Sequence, residues 1–135
     1  MGKVVAKVFL MNKDGLILVL KRGSTHPIFP LHLDFPGGEV ETDEPWHESV
    51  NREILEEIGL KIDVQPINKI HEFKYPNVTH VLYLYQLPDK NIDINLSWEH
   101  SGYLWLSKDE LVNLGLPDGV DTFYVDAIKS LKLIS

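Results

Sequence analysis

Between Pro45 and Ile58 the chain sets Trp46, Val50, Ile54 and Ile58 four residues apart, with charged and polar residues filling most positions between them. At about 100° per residue this spacing gathers the four onto one stripe of an α-helix, a stripe that has to be buried. Thr42 or Asp43 can cap such a helix, Pro45 suits its first turn, and Gly59 is a natural left-handed terminator. Any fold the chain adopts must offer this helix an apolar partner surface. The rest of the sequence supplies one in the form of strands. Val4–Met11 and Leu16–Lys21 are rich in β-branched and aliphatic residues and flank the turn signal Asn12-Lys13-Asp14-Gly15. Ile67–Tyr75 and Thr79–Leu87 read as a second pair around Pro76-Asn77, with short strands at Ile92–Leu96 and Tyr103–Leu106. Ser107 can cap a short helix through Leu111, and a last helix runs from about Thr122 to Leu131. Strands interspersed with helices predict one α/β layered domain over residues 1–135.

The polar side of the same helix carries the chemistry. Glu53 and Glu57 nearly eclipse, and Glu56 stands about one sixth of a turn away. Like charges at these spacings repel by a few tenths of a kcal/mol, roughly, per pair. Arg52 offsets some of this by pairing with Glu48 or Glu56, four residues to either side. A hard divalent cation offsets far more, because Mg²⁺ wants oxygen ligands and leaves positions for substrate phosphates. An acidic helix face alone is ordinary and solvated. Here Phe35-Pro36-Gly37-Gly38 precedes the helix, and two glycines let backbone approach a metal or phosphate closely.

Composition narrows the partners. The chain has no cysteine, which excludes disulfides, thiolate metal sites and cysteine nucleophiles. Its net charge of −7, with no cluster of Lys and Arg, argues against nucleic acid. No apolar run approaches the roughly 18 residues that span a bilayer. Met1-Gly2-Lys3-Val4-Val5-Ala6 has neither a signal peptide's apolar core nor the Ser or Thr of a myristoylation signal, so the expectation is a soluble cytoplasmic protein.

The spacing Gly38-x5-Glu44-x7-Arg52-Glu53-Ile54-x-Glu56-Glu57-x-Gly59-Leu60 resembles the complete Nudix box, with no departure at a fixed position. The strand pair before it, the Phe-Pro-Gly-Gly lead-in and Trp105-Leu106 downstream agree with the Nudix hydrolase family. The resemblance implies an α/β/α sandwich with a central mixed β-sheet, and a Mg²⁺- or Mn²⁺-dependent hydrolase. Its substrate would be a nucleoside diphosphate linked to another group. By resemblance Glu56 and Glu57 are metal ligands, Glu53 is a ligand or the general base, and the Gly37 carbonyl completes the coordination. Arg52 orients the carboxylates, and Glu44 supports the loop or reaches a further metal through water. Relatives differ over the base, and Glu99, six residues before Trp105, is the candidate ligand or base outside the box. His100 beside it supports the ligands from behind or is merely exposed.

Substrate contacts come from outside the box, apart from Gly38. Arg22, and with less reason Lys21, ends the second strand where relatives present a cation to phosphate, and His26 lies in the long connection that follows. Phe35 forms part of a base-binding wall or packs in the core. Trp98, Trp105, Tyr83, Tyr85 and Tyr103 include possible stacking surfaces, though core or sheet packing suits most of them. His71 and His80 read as structural histidines. Asp118 and Asp121 lie where some relatives read a base. The short, compact layout is most similar to MutT-type members acting on nucleoside triphosphates. Pyrophosphohydrolases of ADP-ribose, dinucleotides or RNA 5′ ends are the alternatives, and a non-catalytic nucleotide sensor is a further one. Many relatives form homodimers, but no residue here marks an interface.

Overall fold

The computed structural model describes residues 2–23, 33–88, 92–116 and 120–133. Seven strands, β1 (Lys3–Met11), β2 (Ile17–Arg22), β3 (Leu33–Asp34), β4 (Gly37–Glu39), β5 (Lys69–Tyr75), β6 (Val78–Gln86) and β7 (His100–Leu106), form one mixed sheet. Among the described residues three α-helices accompany them: α1 (Trp46–Ile58), α2 (Lys108–Val112) and α3 (Thr122–Ser130). The main strand order is β3-β2-β1-β6-β5, with β4 also paired to β1 and β7 to β2. β1 and β6 run parallel over their whole length, from Lys3 opposite Val78 to Met11 opposite Gln86, while the other pairings are antiparallel.

Alternation along the strands explains why helices cover both faces. Ala6, Val8 and Leu10 of β1 and Leu18 and Leu20 of β2 meet Val50, Ile54 and Ile58 of α1 in one core. Phe9 of β1 and Ile17 and Val19 of β2 point the other way, to Leu111 of α2 and Phe123, Ala127 and Ile128 of α3. The α1 stripe is buried as expected, at about 1.5–3 kcal/mol for each large side chain removed from water. Trp46 lies at its partly buried margin.

Two local expectations are corrected. The helix is not capped by Thr42 or Asp43: Pro45 holds the N-cap position with no side-chain hydrogen bond, and Asp43 takes a left-handed turn at φ 64°. Ile92–Leu96 forms no strand. Its apolar residues pack on the α1 core, while the amides of Asn95 and Ser97 bond the Ile58 and Glu57 carbonyls at 2.9 and 2.8 Å, satisfying a helix end instead of a sheet neighbour. The end of the Phe-Pro-Gly-Gly segment joins the sheet, Gly37–Glu39 pairing with Lys7–Val5 as β4. Gly59 does close α1 at φ 69°, and Ser107 caps α2 in a capping box. His26 and Asp118 lie outside the described residues.

Candidate active site

Arg52 organises the outer carboxylates. Its Nε and Nη2 donate to the two Glu44 oxygens at 2.8 and 3.1 Å, and Nη2 also reaches the Glu39 carbonyl at 3.2 Å. Its Nη1 donates to Glu53 Oε1 at 3.0 Å and to both Glu56 oxygens at 3.3 Å. The partner on the N-terminal side is therefore Glu44 and not Glu48, because Glu44 offers both oxygens to the planar guanidinium fork. The Glu44 bond holds the Arg52 pKa up, and Arg52 holds the Glu44 carboxyl below its ordinary value. Nη1 is a cation bridging Glu53 and Glu56.

Glu53 and Glu57 are seated by the two glycines. At Gly37 φ is 128°, and an added Cβ would stand 2.1 Å from the Ala6 carbonyl oxygen, so β4 can lie this close to β1 only with glycine there. The Gly37 amide donates to Glu57 Oε1 at 2.7 Å. At Gly38 an added Cβ would fall 2.7 Å from the Glu53 carboxyl carbon, inside the space that carboxylate now fills. Burial raises the carboxyl pKa of Glu53, with Glu56 adding repulsion, and burial pushes Glu57 up to about 8. Among the described residues no three acidic or histidine side chains converge on one point, since Arg52 holds Glu53 and Glu56 while Gly37 holds Glu57.

Behind Glu57 lies a buried polar network that sequence patterning did not single out. Lys7 Nζ donates to the Asp34 oxygens at 3.2 and 3.4 Å and to the Gly37 carbonyl at 3.1 Å. Arg22 Nε donates to Asp34 Oδ2 at 3.2 Å and its Nη2 to Tyr124 Oη at 2.9 Å, while Tyr124 Oη donates to Asp34. His100 Nε2 stands 3.9 Å from both Asp34 Oδ2 and Glu57 Oε2. Burial opposes charge on Asp34, but Lys7, His100 and Arg22 outweigh it and hold the carboxyl far below its ordinary range. The one signal available beforehand was a lysine inside the otherwise apolar strand Val4–Met11, a position where lysine is almost never buried without a partner.

The other expected residues are dispersed. Arg22 is buried in this network instead of standing free at the strand end, yet it still borders a recess of about 180 Å³ with Lys3, Lys7, His80, Asp121 and Tyr124. Lys21 is exposed. Phe35 is buried, edge-on to Phe9 at 4.9 Å, and lines a separate apolar cleft of about 250 Å³ beneath α2 and α3. Glu99 sits half-buried in the turn between Ser97 and His100, its carbonyl accepting from Gly23 N at 2.8 Å. His100 is buried and not exposed. Tyr83, Tyr85 and Trp105 belong to the α1 core, whereas Trp98 is 71% exposed. His80 stacks on Phe123 at 4.3 Å, and Asp121 caps α3 by accepting from Phe123 N. His71 stacks on Phe73 at 5.5 Å. No helix among the described residues is long and apolar enough to cross a membrane.

The profile of the NUDIX domain matches residues 1–127. The chain belongs to the Nudix family. An uncharacterised Nudix hydrolase from Nostoc sp. is 30% identical, over 90% of this chain and 79% of that protein. The nucleoside triphosphatase NudI of Salmonella paratyphi B is 27% identical over 90% of this chain and 93% of its own length. The crystal structure of the MutT protein from Methanosarcina mazei superposes with a TM-score of 0.76 at 23% identity, covering 97% of this chain and 93% of that one. The Nudix fold, a mixed sheet with helices, is therefore shared, and the chain is a hydrolase of acid anhydrides in phosphorus-containing compounds. In this Nudix hydrolase the box from Gly38 to Leu60 comprises most of β4, the connecting turn and all of α1.

Proposed function

We propose that this Nudix hydrolase cleaves the phosphoanhydride of a nucleoside triphosphate with Mg²⁺ or Mn²⁺, releasing pyrophosphate. The observation that carries the reading is the pair Glu53 and Glu57, both drawn in against glycine backbone with carboxyl pKa values raised by burial. Carboxylates drawn partly or wholly out of water in this way favour a bound cation. The donor set fits a hard ion: Glu53, Glu56 and Glu57 offer only oxygen, and one cation, Arg52 Nη1, already bridges two of them. A divalent ion held by these carboxylates would draw charge from the diphosphate and acidify a water.

The chain's own groups do the rest. Glu53 accepts the proton of the attacking water, and its raised pKa brings the carboxylate nearer the working pH of a base. Glu99, in the turn that adjoins the C-terminal end of α1, is the alternative acceptor. Arg52 keeps Glu53 and Glu56 in their rotamers through the anchor at Glu44. The recess bordered by Lys3, Lys7, Arg22, His80 and Asp121 takes the nucleoside and its first phosphate, its three basic side chains complementing the charge. The triphosphate class is favoured because the NudI relative, a nucleoside triphosphatase, aligns over 90% of this chain.

A substrate panel with Mg²⁺ and with Mn²⁺ tests this, products being separated by anion exchange. Ordinary and oxidised nucleoside triphosphates, ADP-ribose, dinucleotides and 5′-triphosphate RNA are compared, with Glu53→Gln as control. The expected result is one triphosphate cleaved far faster than the rest and spared by the variant. Tight nucleotide binding without any metal-dependent turnover would instead make the protein a sensor.

A further inference from the structure

Among the described residues, Lys7 is the one cation that touches both the glycine lead-in and the buried network behind the box. It leaves β1 next to Ala6, whose carbonyl contacts Gly37 so closely that no side chain fits there. Its ammonium sits 3.1 Å from the Gly37 carbonyl and 3.2 Å from Asp34, while the amide of that same glycine donates to Glu57 at 2.7 Å. A single residue, Gly37, thus joins a protein cation to an acidic side chain of the box.

We propose that the Lys7 ammonium is a built-in cation at the inner end of the box, which keeps a divalent ion off the Gly37 carbonyl. The inference rests on the box being a metal site and specifies how this chain departs at one ligand. Two cations on one carbonyl oxygen repel at close range. The ammonium is fixed by three acceptor contacts in a buried setting, so it does not step aside cheaply. Glu57 Oε1 is likewise engaged by Gly37 N, which leaves the other Glu57 oxygen, Glu53 and Glu56 to ligate the metal. The inner end already carries the protein's own positive charge, since Lys7 and Arg22 both pair with the single carboxylate of Asp34. Lys7 is a positioning residue on this account: it limits how many divalent ions the site holds and directs them to the outer carboxylates.

Anomalous diffraction from the unmodified protein grown with Mn²⁺ is the direct test. The expected map has Mn²⁺ on the box carboxylates, none bonded to the Gly37 carbonyl, and Lys7 Nζ still on that oxygen. Equilibrium dialysis with electron paramagnetic resonance then counts bound Mn²⁺ in Lys7→Met, with Lys132→Met as a control of equal charge change on an exposed residue. Lys7→Met should gain one equivalent of Mn²⁺ per chain, and Lys132→Met none. Mn²⁺ bonded to the Gly37 carbonyl in the unmodified protein overturns the proposal while leaving the metal reading intact, as does an unchanged count in a folded Lys7→Met. No Mn²⁺ on any box carboxylate overturns both. Should Lys7→Met fail to fold, the diffraction experiment decides alone.

Discussion

Glu57 is where the chemistry of single residues is most exposed to measurement. Burial raises its carboxyl from the usual 4.5 to about 8, so the folded, metal-free protein holds this proton more tightly than the unfolded chain does. Stability from this group is complete below the unfolded value and falls as pH rises toward 8, by on the order of 1.4 kcal/mol per unit. His80 acts in the opposite sense, since burial lowers its pKa and charging it costs stability in acid. Comparing Glu57→Gln with the parent cancels the histidine. Thermal melts from pH 5 to pH 8 without metal should show the parent losing stability relative to the variant, and parallel curves would contradict the buried, protonated Glu57. Asp34 supplies the second prediction at this scale. It is the shared partner of Lys7, Arg22 and Tyr124, so Asp34→Asn leaves two buried cations facing a neutral amide. The loss should be about 3–5 kcal/mol in urea denaturation, the magnitude for breaking a buried pair. Nothing in the sequence pattern announced Asp34. It is separated from Lys7 by 27 residues, and only folding sets the two side by side.

Among the elements, β4 and α1 form the working unit, and the adjacent glycines of β4 serve it differently. Gly37→Ala drives a Cβ into the Ala6 carbonyl and demands a backbone angle that alanine resists, so strand pairing itself is lost. It should destabilise the fold by about 1–3 kcal/mol or more. Gly38→Ala meets only the movable end of Glu53, and should melt within a few degrees of the parent while losing most turnover. Melting temperature and kcat measured on both variants check the contrast. Two variants with equal melting temperatures would remove the distinction. The α1 element was legible in advance because its evidence is local: period, terminal glycine and carboxylate spacing all lie within one segment. Its cap was not, because Asp43 sits at φ 64° inside a turn closed by hydrogen bonds between Glu41 and Glu44, and Pro45 beyond that turn takes the N-cap position. The Ile92–Leu96 segment misled for a related reason. An apolar run says that a segment is buried, and its hydrogen-bond partners here are the carbonyls of a helix end rather than a neighbouring strand.

The molecule as a whole is a sheet with a helix layer on each face, and the box face carries the least settled charge. Glu57, buried, and Glu53, half-buried, both have raised carboxyl pKa values that make the metal-free state costly, so an ion that binds only the folded form should stabilise it by mass action. At a Mg²⁺ or Mn²⁺ concentration about 100 times Kd the gain is about 2.7 kcal/mol. Thermal melts at pH 8 should rise with added ion in the parent and much less in Glu53→Gln. Equal shifts in both would place the ion elsewhere. The family, the strands flanking the turn at Asn12–Gly15, the α1 helix and the carboxylate face were determined by the sequence alone, since each is written in one short continuous stretch of chain. The joining of Lys7, Arg22, Asp34, His100 and Tyr124 behind Glu57 was decided only by tertiary structure. Those five residues come from four different strands and a helix, and their charges acquire meaning only once burial has removed water and left them each other as partners.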